Sequence, residues 1–166
     1  METEVHTGAT EKLKVLVVGN NPIELGRVFD SLDKMRSRRV MTEIAFDLKS
    51  AQERLETFQP DYILIDDNIG KEELKQAVAF LLHDRKTKKI PISVLKNSNY
   101  AEAINTGVLN YILKGNLSGE SLYTELKNSL RFRKTQLYLY RAYKKRKGQL
   151  MRLFRKEEAF SVKAGI

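Results

Sequence analysis

Residues 61–70 read Asp61-Tyr62-Ile63-Leu64-Ile65-Asp66-Asp67-Asn68-Ile69-Gly70. Tyr62 to Ile65 is a continuous apolar run, too short for a buried helix and of the composition taken up by a strand covered on both faces. It stops in two carboxylates and a carboxamide before a glycine, so chemistry-bearing side chains gather where the strand ends.

The flanking sequence repeats this grammar. Leu13 to Val18 (LKVLVV) is a second run of buried-strand type, punctuated by Gly19-Asn20-Asn21-Pro22. Pro22 suits the first turn of a helix, with Asn20 or Asn21 as its cap. Ile23, Val28, Phe29, Leu32 and Met35 then recur at helical spacing, and a polar loop, Arg36 to Arg39, precedes a strand over Val40 to Phe46. Ser50 is the expected cap of a helix carrying Ala51, Leu55 and Phe58, which must end before Pro60. After the central strand, a helix is expected from about Glu72 to His83 with Leu74, Ala77, Val78, Leu81 and Leu82 on its apolar side. Pro91 opens a strand over Ile92 to Leu95, a short helical piece over Tyr100 to Thr106 ends at Gly107, and Leu109 to Leu113 completes a set of five strands. Strands alternating with helices through short connectors imply an α/β fold, a five-stranded parallel sheet wound on both faces. Function in such sheets collects at the carboxyl ends of the strands. Gly19, Asn20, Asp66, Asp67, Asn68, Lys96, Asn97 and Lys114 fall there.

Composition narrows the chemistry. The 166 residues contain no cysteine, which excludes a disulfide framework, a thiolate zinc site and a cysteine nucleophile, and suits a reducing cytoplasm. The two histidines, His6 and His83, have no ligand-like spacing. Residues 1–12 are polar, read as a disordered lead without the apolar core of a signal peptide, and no apolar run is long enough to cross a bilayer. A phosphate-cradling glycine loop, a nucleophile–base pair and a metal cluster are all missing, so an enzyme acting on small molecules is not expected. The net charge of +9 is concentrated: Arg131 to Lys156 holds eleven Lys or Arg and no acid, leaving the rest of the chain at about −2.

With these residues in view, Lys12 to Leu130 resembles a receiver domain of bacterial two-component signalling, the flavodoxin-like module of response regulators. Residues 61–70 resemble its third strand, its phosphoaccepting aspartate and the loop beyond, and Pro91 to Lys96 its fourth strand. Gly107 to Lys114 (GVLNYILK) resembles the family's Gly-x-x-x-Tyr-hydrophobic-hydrophobic-Lys. Lys114-Gly115-Asn116-Leu117 followed by Gly119-Glu120-Ser121-Leu122 is similar to a subtype with Lys-Gly, members of which continue through a long helix into further domains. The resemblance implies that an aspartate takes a phosphoryl group from a kinase histidine while Mg²⁺ neutralises the oxygens. It makes Asp66 the phosphoacceptor and Asn68 the lender of a carbonyl. Lys114 becomes the phosphate lysine and Tyr111 the switch aromatic, while strand alternation is expected to turn Asp67 away from Asp66.

Two departures follow. Gly19-Asn20 stands where the family carries an acidic pair, and Lys96 where it carries a hydroxyl. A metal site reduced to Asp66, Asn68 and Asn20 loses most of its charge compensation, so Mg²⁺ is expected only if the protein is competent for phosphorylation. Lys96 and Lys114 are expected to converge on Asp66; at ~4 Å and an effective dielectric near 20, each pair gains roughly 4 kcal/mol before desolvation. An internal ammonium would then replace the metal, giving a degenerate pseudo-receiver.

Residues 131–166 form a basic helical extension beyond the receiver-like 13–130. Ser118 caps the last helix, and helix formers run to about Phe160, with Gly148 as a candidate hinge or break. One seven-residue row reads Leu130, Leu137, Lys144, Met151; another reads Leu126, Arg133, Tyr140, Lys147, Phe154. Leucine and aromatic positions invite a partner helix, while the lysines interrupt a strict coiled coil. Three uses stand open: a solvated helix with a weak dimer seam, a docking helix for a second copy or another signalling protein such as a histidine kinase, and a nucleic-acid or anionic-membrane contact. Tyr138, Tyr140, Tyr143 and Phe154 among Lys144, Lys145, Arg146 and Lys147 could stack on bases, yet no known DNA-binding motif appears. The expected protein is a cytoplasmic, non-catalytic signalling or adaptor protein that works through protein–protein contact and self-association. The alternatives are a phosphorylation-competent response regulator and a nucleic-acid-binding accessory protein.

Overall fold

A computed structural model describes residues 12–34, 40–97, 108, 110–163 and 165. The expected polar lead as far as residue 11, the Arg36–Arg39 loop and the helical piece over 100–106 lie outside the described residues. The chain divides into two compact units, Met1–Leu130 and Arg131–Ile166.

In the first unit, β1 (Leu13–Val18), β2 (Val40–Ala45), β3 (Tyr62–Asp66), β4 (Ile92–Lys96) and β5 (Asn110–Leu113) form one sheet in the order β2-β1-β3-β4-β5. Every pairing is parallel. Alternation along the strands splits the core into two layers. Leu16, Val18, Ile63, Ile65, Ile92 and Val94 face α2 (Leu48–Thr57) and α3 (Lys71–His83). Val15, Val17, Tyr62, Leu64 and Leu95 face α1 (Pro22–Asp33) and the start of α4 (Gly119–Lys163).

The helix starts follow from local chemistry, with two corrections. Asn21 caps α1, its side chain accepting from the amides of Ile23 and Glu24 with Pro22 in the first turn. Leu25, Val28 and Leu32 form the buried face, whereas Ile23, expected inside, is 71% exposed. Asp47, and not Ser50, caps α2. Asp47 Oδ1 accepts from the Ser50 amide at 2.6 Å and Ser50 Oγ accepts from the Asp47 amide at 3.0 Å, a reciprocal box. The hydrogen bonds hold Asp47 below the usual carboxylate range, through the Ser50 backbone and then its hydroxyl. Ser118 and Ser121 exchange the same kind of bonds at the start of α4.

A buried polar network pins β5 and the root of α4 to the sheet. The Tyr62 hydroxyl, the Ser93 hydroxyl and Asn110 Oδ1 share hydrogen bonds, and Asn110 Nδ2 donates to Glu125 Oε1 at 2.7 Å and to Ser129 Oγ at 3.1 Å. Burial raises the Tyr62 phenol above its ordinary pKa against the opposing pull of Ser129 and Ser93, so it stays a neutral donor. In the second unit, α4 runs unbroken through Gly148, and no helix of the described residues is long and apolar enough to cross a membrane.

Candidate functional site at the carboxyl end of the sheet

Asp66 closes β3 on the same face as Tyr62 and Leu64, 1% exposed, with the chain then turning through a 3-10 helix, Asp67–Ile69. That turn lets Asp66 Oδ1 accept from the Asn68 amide at 2.8 Å. Lys114 begins another such turn directly after β5, and its Nζ lies 2.6 Å from the same Asp66 Oδ1. The ammonium also reaches Glu24 Oε2 at 2.7 Å and Asp67 Oδ1 at 3.6 Å. Burial acts to lower the Lys114 pKa, but its hydrogen bonds and charge attraction to Asp66 and Glu24 outweigh that and raise it. The lysine is therefore a fixed cation at neutral pH.

The amide positions complete the arrangement. Asn20 Nδ2 donates to the Asn68 carbonyl at 3.0 Å, Asn68 Nδ2 donates to Glu24 Oε2 at 2.6 Å, and Asn97 Nδ2 donates to Asn68 Oδ1 at 3.0 Å. Glycine at position 19 is required by this packing: a Cβ there would stand 2.7 Å from Leu25 Cδ2 and 2.9 Å from Asp66 Cβ. A cleft of about 270 Å³ opens beside Lys114, lined in part by Glu24, Arg27 and Asn97.

Several sequence expectations are placed differently. Asp67 does not turn away: the strand has ended, so alternation no longer governs it, and its carboxylate faces Lys114. Lys96 is buried, but as the last residue of β4 it shares the face of Ile92 and Val94, opposite to that of Asp66. Its Nζ lies 4.3 Å from the centroid of the Tyr111 ring, and Tyr111 packs on the same layer as α2 and α3. Glu24, not singled out by sequence reasoning, supplies a carboxylate from α1. Its only sequence signal is an acid in the first helical turn after the Asn-Pro that follows β1.

Two of the oxygens expected to hold Mg²⁺ are already engaged within the chain. A hard dication takes oxygen ligands, yet the Asn68 carbonyl and Asp66 Oδ1 already accept from N–H groups. Among the described residues no group of three His, Cys, Asp or Glu is arranged to hold a metal ion. Asp66 Oδ2, buried, has no hydrogen-bond partner among the described residues.

The residues proposed for the interaction helix all lie in α4. Leu130 is half-buried against the sheet; Tyr140, Tyr143, Met151 and Phe154 are exposed, and Lys144 Nζ lies 4.9 Å from the Tyr140 ring centroid.

No family model matches the sequence, and no curated protein does. Solved structures do. The chemotaxis response regulator CheY4 of Vibrio cholerae superposes with a TM-score of 0.60 at 20% identity, over 72% of this chain and 99% of that one. The receiver domain of the sensor histidine kinase PA1611 from Pseudomonas aeruginosa, with magnesium in its active-site cleft, gives 0.62 at 17% identity over 72% and 98%. A yeast Spc42 trimeric coiled coil fused to another structure gives 0.59 at 20% identity over 75% and 83%. These likenesses, each over about three quarters of this chain, together with the strand order establish that this protein has the flavodoxin-like receiver fold.

Proposed function

We propose that the protein is a cytoplasmic signalling or adaptor protein, without turnover chemistry of its own, whose receiver fold is locked by an internal ammonium. The observation that carries this reading is the 2.6 Å ion pair between Lys114 Nζ and the buried Asp66, with the Asn20 amide donating to the carbonyl that a metal would need. A cation is built into the chain beside Asp66, so neither Mg²⁺ nor phosphate is called on to set the state of the site. Output then falls to protein–protein contact, with another signalling protein or with a second copy through the distal part of α4, where large apolar side chains stand exposed. Acetyl phosphate or beryllofluoride added with Mg²⁺ is expected to leave the backbone amide NMR spectrum unchanged. A stoichiometric, Mg²⁺-dependent phosphoaspartate at Asp66 would overturn the reading.

A second reading, a phosphorylation-competent regulator served by a histidine kinase, is favoured by one feature. Asp66 Oδ2 is an acceptor oxygen without a hydrogen-bond partner among the described residues. The same experiment decides between the two.

A further inference from the structure

The distal part of α4 carries a stripe that the rows of seven read from the sequence do not include. Tyr143, Arg146, Leu150, Leu153, Glu157 and Phe160 follow one another at alternating steps of three and four, which places them along one side of a single unbroken helix. Tyr143, Leu150, Leu153 and Phe160 are all large, apolar and more than half exposed. The stripe is symmetric about the point midway between Leu150 and Leu153, except that one charged position is basic and its mirror position acidic.

We propose that this stripe is an antiparallel homodimer interface, in which α4 pairs with α4 of a second copy about that midpoint. The inference rests on the self-association put forward above and specifies its geometry. In this register Leu150 meets the partner's Leu153, Tyr143 meets the partner's Phe160, and Arg146 meets the partner's Glu157. Each layer is chemically matched and each occurs twice. Charge outside the stripe agrees: Glu158, the only other acid after Glu125, falls level with Lys145 in the Lys144–Lys147 run of the other copy. A parallel pair would set Arg146 on Arg146 and Glu157 on Glu157, a like-charge layer at each. Neighbouring antiparallel registers set Glu157 against Leu153, Leu139 or Phe132, burying a carboxylate on an apolar side chain.

The test uses the full chain and three measurements. Sedimentation velocity of the wild type is expected to show a concentration-dependent dimer. Arg146→Glu and Glu157→Arg are each expected to weaken it about tenfold or more, the factor that a loss of ~1.4 kcal/mol gives. The double exchange R146E/E157R restores association, because it regenerates both cross-pairs; failure of that rescue overturns the register. Orientation is read by spin labels on single introduced cysteines, clean in a chain that has none of its own. At ~1.5 Å rise per residue, labels at Arg152 are nearly level with each other, whereas labels at Arg141 or Lys163 are offset along the axis by roughly 30–35 Å. Equal short distances at all three sites mean a parallel pair, which overturns this inference and leaves self-association standing. A monomer at all concentrations overturns both. Association seen only on adding duplex DNA, and falling steeply with salt, assigns the stripe to nucleic acid and overturns the dimer.

Discussion

Three carboxylates, from Asp66, Glu24 and Asp67, lie within 3.6 Å of the single Lys114 ammonium. The site therefore keeps a surplus of negative charge; of the neighbouring carboxamides only that of Asn68 donates to a carboxylate, Glu24 Oε2, while those of Asn20 and Asn97 donate to Asn68 itself. Replacing Lys114 by methionine strips the cation from a pair whose acid is 1% exposed, and is expected to cost about 3–5 kcal/mol in urea denaturation. The pH dependence follows from the raised pKa of Lys114 in the fold. Its stabilisation is complete below the ordinary lysine value of 10.5 and disappears as pH climbs through the higher folded value, so the gap between wild type and Lys114→Met should close only in strong alkali. A gap that closes near neutrality would contradict this assignment. At this scale the sequence was half legible. Asp66, Lys114 and Asn68 stand out because they sit at strand ends. Glu24 does not, because its contact with Lys114 spans 90 residues and nothing local requires it.

At the scale of elements, strand cores were readable from their apolar runs: β1 matches the expected Leu13 to Val18, and β3 and β4 each extend one residue further, to Asp66 and Lys96. Helix starts were harder. Asp47 and Ser50 are both good caps, and the choice between them rests on a reciprocal bond that exists only once the helix has formed. Gly148 raised the expectation of a break, since glycine disfavours a helix interior by ~1 kcal/mol relative to alanine. The helix nevertheless passes through it, carried by the strong helix formers on either side. A Cβ at Gly148 would meet nothing within 4 Å, so Gly148→Ala is expected to stabilise α4 by about 1 kcal/mol. Circular dichroism at 222 nm on heating should show it as a later loss of helix signal.

For the whole molecule, the division at Leu130 has an energetic basis. Buried residues of α4 are confined to its first turns, Leu122, Leu126 and Ser129, so the core of the first unit is complete before the cationic run begins. A chain ending at residue 135 is expected to melt within a few degrees of the full protein, since a lost contact worth ~1 kcal/mol would move a domain of this size by only about 4 °C. It should also sediment as a monomer at every concentration. A large drop in melting temperature would mean that the extension contributes to the core. The sheet order has one last consequence, for the chain as it leaves the ribosome. β1 lies between β2 and β3, and Lys14 bonds with Asp61, 47 residues further along. At ~5–20 residues per second, that distance leaves the nascent Leu13–Val18 segment without its second neighbour for roughly 2–9 s. For those seconds it is an apolar strand lacking one of its two partners, which makes it a substrate for co-translational chaperones.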